Sequence, residues 1–232
     1  MSLPRVNPAL QRVQQAVGNH RYAHRVSTLA VATLADARTL PVSPDIDRVL
    51  RAGLVSGCAH GLVRGRTYGC SGVAAVSCVA TLLREASATG SWIAWCAAVS
   101  PNWRAMADTG WALDRVVQVD CGSSRDGWVG CLDALAGEID IVVVDMPAGV
   151  SLRDAQLVID RAVRRGGVVV VLAPSPEVHA RLGVDVVFDV VRVHYVTHHA
   201  HLGGQVMDIR MQGRRVPVAT DVRLEVPGVA DG

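Results

Sequence analysis

The sequence predicts an α/β protein with a mostly parallel sheet, helices on both faces, and antiparallel strands at the C-terminal edge. From residue 61 onward, short continuous apolar strands alternate with helical segments, a pattern typical of a parallel sheet buried on both faces. After Asp185 the helical pattern stops and consecutive strand-like segments follow, which indicates an antiparallel extension. Half of the residues are apolar, so the chain can bury a large core.

The first 42 residues predict an N-terminal helical arm, and residues 43–232 predict the core with its C-terminal edge hairpins. Asn7 caps a short helix, Pro8 takes its first position and Gly18 ends it. A helix this small is marginal by itself, so we expect it to dock on the core or to join copies of the chain. Further helices are predicted over residues 26–37 and 44–53.

The core elements follow in order along the chain. Strands are predicted over residues 62–70, 92–97, 115–119, 140–145, 168–172, 185–196, 205–211 and 217–226. Helices are predicted over residues 73–86, 102–109 and 124–136, and from 151 to the glycine pair at 166. Ser151 and Asp154 have the spacing of a capping box, which fixes the start of the last of these helices.

Charge is unevenly distributed, and all 23 basic side chains are arginines. Residues 1–66 hold nine arginines against three acidic residues, whereas the remainder holds fourteen against eighteen. A basic N-terminal third could serve single-stranded DNA, an acidic partner or contact between copies of the chain. A solvated arginine-rich surface explains the same distribution equally well.

Several classes of protein are disfavoured by composition. There is no apolar run long enough for a membrane span and no apolar leader, so we expect a cytoplasmic protein without membrane contact. The six cysteines show no C-x-x-C spacing, which favours reduced thiols over a disulfide or zinc framework. Four histidines between residues 194 and 201 fit an exposed polar loop better than a metal site, so no metal is expected.

Two segments resemble the RecA ATPase core, and the resemblance runs in order and spacing from about residue 43 to 227. Residues 45–54 followed by Gly61-Leu-Val-Arg-Gly-Arg66 resemble the approach to that family's phosphate loop. Asp140-Ile-Val-Val-Val-Asp145 resembles its Walker B strand. The resemblance implies a RecA-like core.

Other details resemble ImuA-type RecA-like proteins of bacterial mutagenesis cassettes, especially the short actinobacterial form. They are the segment Ala86-Ser-Ala-Thr-Gly-Ser-Trp-Ile-Ala-Trp95 and the pairing of His199-Ala-His-Leu202 with Gln212-Gly-Arg-Arg215. This resemblance implies a non-catalytic accessory factor of translesion DNA synthesis after DNA damage. Its partners would be ImuB, an inactive Y-family polymerase homologue, and indirectly an error-prone C-family polymerase. A RecA-like nucleotide-dependent DNA-binding protein and a SulA-like inhibitor of cell division remain as alternatives.

The residues that an ATPase of this type needs are missing. A phosphate loop has the pattern G-x-x-x-x-G-K-[ST], but the lysine position falls on Ser71 when counted from Gly65 and on Cys78 when counted from Gly72. The carboxylate that would orient the attacking water is replaced by Ala97 and Ala98. We therefore expect no catalysis and no cofactor.

Three residues are interpreted as remnants of a nucleotide site. Gly69 and Gly72 are predicted to serve a tight strand-to-helix turn. Asp145 stands at the Walker B position and is predicted to cap the following turn at residues 146–147. Short connections over residues 146–151 and 173–177 disfavour the long DNA-binding loops of RecA.

Candidate partner or DNA contacts lie on a predicted arginine- and histidine-bearing edge and in the arm. The candidates are Arg192, Arg210, Arg214, Arg215, Arg223, His199, His201 and Arg12. Replacing Arg214 and Arg215 with Ala is expected to weaken binding and to leave the fold intact. Trp103, Trp111 and Trp128 are candidate partner anchors.

Overall fold

The computed structural model describes residues 39–54, 60–198 and 201–227. The predicted helices at residues 7–17 and 26–37 lie outside these residues, as do the candidates Arg12 and His199. The backbone of His201 is described and its side chain is not. The proposed function of these three residues therefore stays a prediction.

An eight-stranded sheet organises the described residues, and a two-stranded ribbon precedes it. The ribbon is antiparallel and pairs β1 (Thr39–Leu40) with β2 (Leu62–Val63). The sheet strands are β3 (Thr67–Gly72), β4 (Ile93–Trp95), β5 (Val116–Gln118), β6 (Ile141–Asp145), β7 (Val168–Leu172), β8 (Val186–His198), β9 (His201–Gln212) and β10 (Thr220–Pro227). Their spatial order is β10-β9-β8-β3-β7-β6-β4-β5. All pairs from β8 to β5 are parallel, and β9 and β10 add antiparallel, so the predicted architecture is confirmed.

Six α-helices are described. They are α1 (Pro44–Gly53), α2 (Ala75–Ala88), α3 (Trp103–Asp108), α4 (Arg125–Leu135), α5 (Leu152–Arg164) and α6 (Pro176–Leu182). Side-chain caps begin four of them, and the predicted cap at Ser151 is confirmed because its Oγ accepts from the Asp154 N–H at 3.1 Å. None of the described helices is long and apolar enough to cross a membrane.

The sheet separates two hydrophobic cores. Helices α1, α2 and α3 cover one face, and α4, α5 and α6 cover the other. Strand β6 shows why its sequence is continuously apolar: Ile141 and Val143 enter the first core, whereas Val142 and Val144 enter the second. Alternate side chains of a strand point to opposite faces, so a strand covered on both sides needs no polar position.

Two elements differ from the sequence predictions. The strand predicted over residues 62–70 is split into β2 and β3 by a turn in which Gly65 has φ +72° and donates its N–H to the Gly167 carbonyl. Helix α6 was missed because it has only seven residues, although Pro176 opens it and Gly183 ends it in the left-handed conformation.

Candidate functional site at the carboxyl edge of the sheet

The carboxyl ends of β3, β4 and β6 form the edge at which open α/β sheets usually bind ligands. This edge carries Gly72, Ala98 and Asp145, which the sequence analysis associated with a nucleotide site. Strand β7 separates β3 from β6, so the ends of these two strands lie about 10 Å apart. The fold therefore brings Gly72, Ala98 and Asp145 to one edge of the sheet.

The link between β3 and α2 is too short to surround a phosphate group. Only Val73 and Ala74 separate the strand from the helix. Gly72 has φ +89°, and a Cβ atom there would lie 2.2 Å from the Val190 carbonyl oxygen. Val73 donates its N–H to the same oxygen at 3.2 Å, and its side chain is 73% exposed. A phosphate loop needs a longer run of backbone N–H groups between strand and helix, so this turn cannot supply one.

Neither position that would carry the catalytic lysine faces the edge. Ser71 is buried in β3, and its Oγ donates to Asp189 Oδ1 at 2.8 Å. Cys78 is buried in α2, with its Sγ 3.7 Å from Cys70 Sγ. Both side chains serve packing between β3 and its neighbours, so a lysine at either place would have to enter the core.

Asp145 is engaged by the neighbouring loop. Its Oδ2 accepts from the Ala98 N–H at 2.8 Å, and its backbone carbonyl accepts from Trp128 Nε1 at 3.0 Å. The sequence predicted that Asp145 accepts backbone hydrogen bonds from the turn at residues 146–147. It does accept a backbone hydrogen bond, but from Ala98. The reason is topological: β4 lies beside β6, and the chain leaving β4 passes the carboxylate.

Gly69 does not belong to the strand-to-helix turn, which corrects the prediction. It lies inside β3, where a Cβ atom would stand 2.6 Å from Nδ1 of His179. The glycine therefore makes room for the fully buried imidazole of α6 against the sheet. Burial lowers the pKa of His179, although the nearby backbone of Cys70 and the charge of Asp189 act in the opposite direction.

The arginines on the outer face of β8, β9 and β10 have acidic neighbours. Arg223 Nε bonds Asp208 Oδ1 at 2.9 Å, and Arg210 Nε lies 3.9 Å from an oxygen of Asp221. Arg192 stands opposite Asp208 in the β8–β9 register. The three arginines line a shallow groove of about 510 Å³.

Additional acids on this face weaken the predicted basic edge. Asp189 is paired with Arg210 in the β8–β9 register, and Glu225 continues the same side of β10. His194 Nε2 lies 3.2 Å from Asp208 Oδ2. Charges of both signs alternate here, so the long-range attraction for a phosphate backbone is small.

Arg214 and Arg215 have a structural partner that the sequence did not reveal. Both bond Asp185 Oδ1, through Arg214 Nη2 at 2.7 Å and Arg215 Nε at 3.3 Å, and Asp185 is only 2% exposed. Its Oδ2 accepts from the Thr67 N–H at 3.1 Å. Burial would raise the pKa of Asp185, but hydrogen bonds from Arg214 and Thr67 outweigh it and hold that pKa below its usual value. Replacing both arginines is therefore expected to destabilise the fold, contrary to the expectation from sequence.

A second candidate surface lies at the opposite edge of the sheet, the amino edge, where β3 and β8 begin. Three arginines (Arg66, Arg214 and Arg215) and the buried acid Asp185 line a pocket of about 420 Å³. Its apolar lining is Leu54, Val63, Tyr68, Val186 and Pro217. The sequence did not indicate Arg66 as a candidate contact, because a single arginine after a glycine looks the same in a binding pocket as in a solvent-exposed turn. The combination of arginines with an apolar floor suits an acidic peptide segment that also carries apolar side chains.

Two of the three predicted tryptophan anchors are core residues. Trp111 and Trp128 are buried, and the Trp111 Nε1 donates to the Ala80 carbonyl at 3.1 Å. Trp103 is partly exposed, packs edge-on against Trp95 with ring centroids 5.7 Å apart, and donates to Gln118. Of the three, Trp103 alone is partly exposed.

Comparison with known families places the carboxyl edge of the sheet inside a recognised domain. A family model described as the MT3502 N-terminal domain matches residues 56–177, which is more than half of the chain. The match includes Gly72, Ala98 and Asp145 and stops before β8. No curated protein matches the chain. The chain belongs to the MT3502 N-terminal domain family.

Proposed function

We propose that the chain is a non-catalytic accessory protein with a RecA-like core that acts in damage-induced translesion DNA synthesis. In this role it would be an ImuA-type scaffold joining the inactive polymerase homologue ImuB and, through it, an error-prone C-family polymerase. The mutagenesis assignment rests on the sequence resemblance over residues 86–95 and 199–215. The non-catalytic assignment rests on the carboxyl edge.

One observation at the carboxyl edge carries the non-catalytic assignment. The link of two residues after Gly72 leaves no phosphate loop, and the Asp145 carboxylate already binds the Ala98 N–H. Ala98 occupies the place where a water-orienting carboxylate would stand. Phosphoryl transfer depends on positioning and on charge stabilisation by such groups, so their joint loss favours a scaffold over a motor.

The pocket at the amino edge is the surface that best suits partner contact. In this pocket three arginines lie beside a single acid, Asp185, so positive charge remains next to the apolar floor, whereas the outer face of β8–β10 alternates its charges. We propose that a segment of the partner carrying acidic and apolar side chains binds in this pocket. We expect any binding of single-stranded DNA to the outer face of β8–β10 to be weak, because acids stand beside its arginines.

A thermal-shift titration with ATP and Mg²⁺ tests the non-catalytic assignment. A ligand present at 100 times its Kd stabilises a protein by about 2.7 kcal/mol, which moves the Tm of a domain of this size by about 5–10 °C. We expect no shift. A saturable shift that disappears in Asp145→Asn would instead support the nucleotide-dependent alternative.

Affinity capture with purified partners tests the scaffold assignment. We expect the chain to retain ImuB, and we expect Arg66→Ala to reduce that retention. Arg104→Ala is the matched control, since Arg104 is exposed on α3 on a different part of the surface. Retention of a cell-division protein without ImuB would favour the SulA-like alternative and would overturn the proposal.

A further inference from the structure

Three cysteines from separate elements converge beside the carboxyl edge. Cys96 follows β4, Cys121 lies between β5 and α4, and Cys131 lies within α4. Their Sγ atoms all lie within 4.8 Å of one another, and all three residues are buried. The spacing of these cysteines in the sequence contains no metal-binding motif, so only the fold brings them together.

The distances suit coordination of one thiophilic ion. A tetrahedral Zn²⁺ site has Zn–S bonds of about 2.3 Å, which corresponds to sulfur atoms about 3.8 Å apart. Sulfur atoms already within 4.8 Å would need to approach one another by about 1 Å or less. Rotation about the Cα–Cβ bonds achieves such a shift without moving the strands.

A comparison within the same chain distinguishes this cluster from ordinary packing. Cys70 and Cys78 are also buried, and their sulfur atoms lie 3.7 Å apart between β3 and α2. That pair offers two thiols, which is too few for a zinc site. The cluster at the carboxyl edge offers three, the number of protein ligands in zinc sites that keep one open position.

We propose that Cys96, Cys121 and Cys131 form a three-thiolate site for a thiophilic divalent ion of the Zn²⁺ class. Binding breaks three S–H bonds and forms three S–Zn bonds, and the protons pass to solvent. Three thiolates and one Zn²⁺ carry a net charge of −1. The fourth position belongs to water or to a ligand from outside the chain.

The surroundings give the ion access and a structural effect. Asp120 and Gly122 are exposed on either side of Cys121, so the cluster lies directly below the surface. Cys96 donates its N–H to the Val143 carbonyl at 2.7 Å and precedes the loop that Asp145 binds. A bound ion would therefore tie β4, β5 and α4 together at the edge where the nucleotide chemistry is missing.

Titration of the reduced full chain with Co²⁺ tests the site. We expect one equivalent to bind, with sulfur-to-cobalt charge-transfer absorption and the visible bands of a tetrahedral site, and we expect Zn²⁺ to displace it. Cys121→Ala should abolish these signals. Cys78→Ala, which removes a buried thiol from the other core, should retain them.

X-ray absorption at the zinc edge of the wild-type protein gives a test that needs no variant. We expect three sulfur neighbours at about 2.3 Å. A shell of nitrogen and oxygen alone, no Co²⁺ uptake, or equal uptake by Cys121→Ala would each overturn the proposal. So would a reduced protein that binds no metal and forms a disulfide among these three cysteines in air.

Discussion

The two ends of the parallel strands differ in what their polar residues do. At the amino edge, Asp140 and Asp185 are buried carboxylates that receive arginines and backbone N–H groups. At the carboxyl edge, Ser71 donates to Asp189 and Asp145 accepts from the Ala98 N–H, so both polar side chains bond within the fold. The exposed residues of this edge include Val73 and Val99. The buried carboxylates of the amino edge bind arginines of the same chain, whereas the carboxyl edge, where open α/β sheets usually bind ligands, also exposes apolar side chains.

At the amino edge, two buried carboxylates hold neighbouring segments together through hydrogen bonds and ion pairs. Asp140 accepts from Arg64 Nη2 at 2.7 Å and from the Trp92 N–H at 2.9 Å. Asp185 likewise accepts hydrogen bonds from the side chains of Arg214 and Arg215 and from the Thr67 N–H. A buried carboxylate without such partners would be costly, so each of these groups depends on the others.

The largest effect is expected from Gly72→Ala at the carboxyl edge. The substitution places a residue at positive φ and a Cβ atom against the Val190 carbonyl oxygen. Strain and overpacking together should lower the free energy of unfolding by about 3–5 kcal/mol, measured by urea denaturation.

Two other glycines separate the two causes. Gly110 has φ +97° and no atom within 4 Å of its missing Cβ, so Gly110→Ala should cost about 1 kcal/mol from strain alone. Gly130 lies in α4 at negative φ with open space, so Gly130→Ala should stabilise by about 0.5–1 kcal/mol. Equal effects at Gly72 and Gly110 would show that the close contact with β8 is relaxed in solution.

The next effect is expected at the amino edge, from the double variant Arg214→Ala with Arg215→Ala. It leaves the buried Asp185 with Thr67 as its remaining described partner. Because both arginines are at least half exposed, the loss should be about 2 kcal/mol, below that of a fully buried pair.

Asp185→Asn in the same background tests the cause. An amide needs no cation, so adding it to the double variant should cost less than adding it to the wild type. The measurement is a double-mutant cycle from urea denaturation. Strictly additive losses of unfolding free energy would show that the arginines and Asp185 act independently. The ion pairs at Asp185 would then not stabilise the amino edge.

A smaller, pH-dependent effect is expected from His179. Its folded pKa lies below the unfolded value of about 6.5, so the unfolded chain binds the proton first as pH falls. Stability should therefore be unaffected above about pH 6.5 and should decline below it, by at most about 1.4 kcal/mol per pH unit. Thermal melts of His179→Leu should lack this decline, while His194→Gln, at an exposed histidine, should keep it.

Most of the fold was predictable because its signals are local. The β-branched runs, the capping serines and the change of pattern after Asp185 each act over a few residues, and they gave the strand and helix order. That residues 65–79 do not fit the phosphate-loop pattern was equally visible, since the lysine position falls on Ser71 or Cys78 in either register. The family match covers that region and adds no function to it.

What the sequence did not reveal depends on long-range contacts. The partner of Asp145 is 47 residues away, and Arg214 meets Asp185 across 29 residues. The sequence also did not reveal the acids beside the arginines of the predicted basic edge, because cross-strand register decides which acid stands opposite each arginine. The three thiols of Cys96, Cys121 and Cys131 form a cluster only after β4, β5 and α4 have packed.

The smallest effect is expected from Asp145, and it bears most directly on the difference between the two edges. If the carboxylate only holds the loop after β4, Asp145→Ala should lose one hydrogen bond to the Ala98 N–H and about 1 kcal/mol of stability. Asp145→Asn keeps an acceptor oxygen and should recover most of that loss by urea denaturation. Neither variant should change the response of the Tm to Mg²⁺, since the two-residue link between β3 and α2 is too short to hold a nucleotide beside the ion. A Tm that rises with Mg²⁺ in the wild type and not in Asp145→Asn would show a metal-binding carboxylate, and the carboxyl edge would then retain one working part of a nucleotide site.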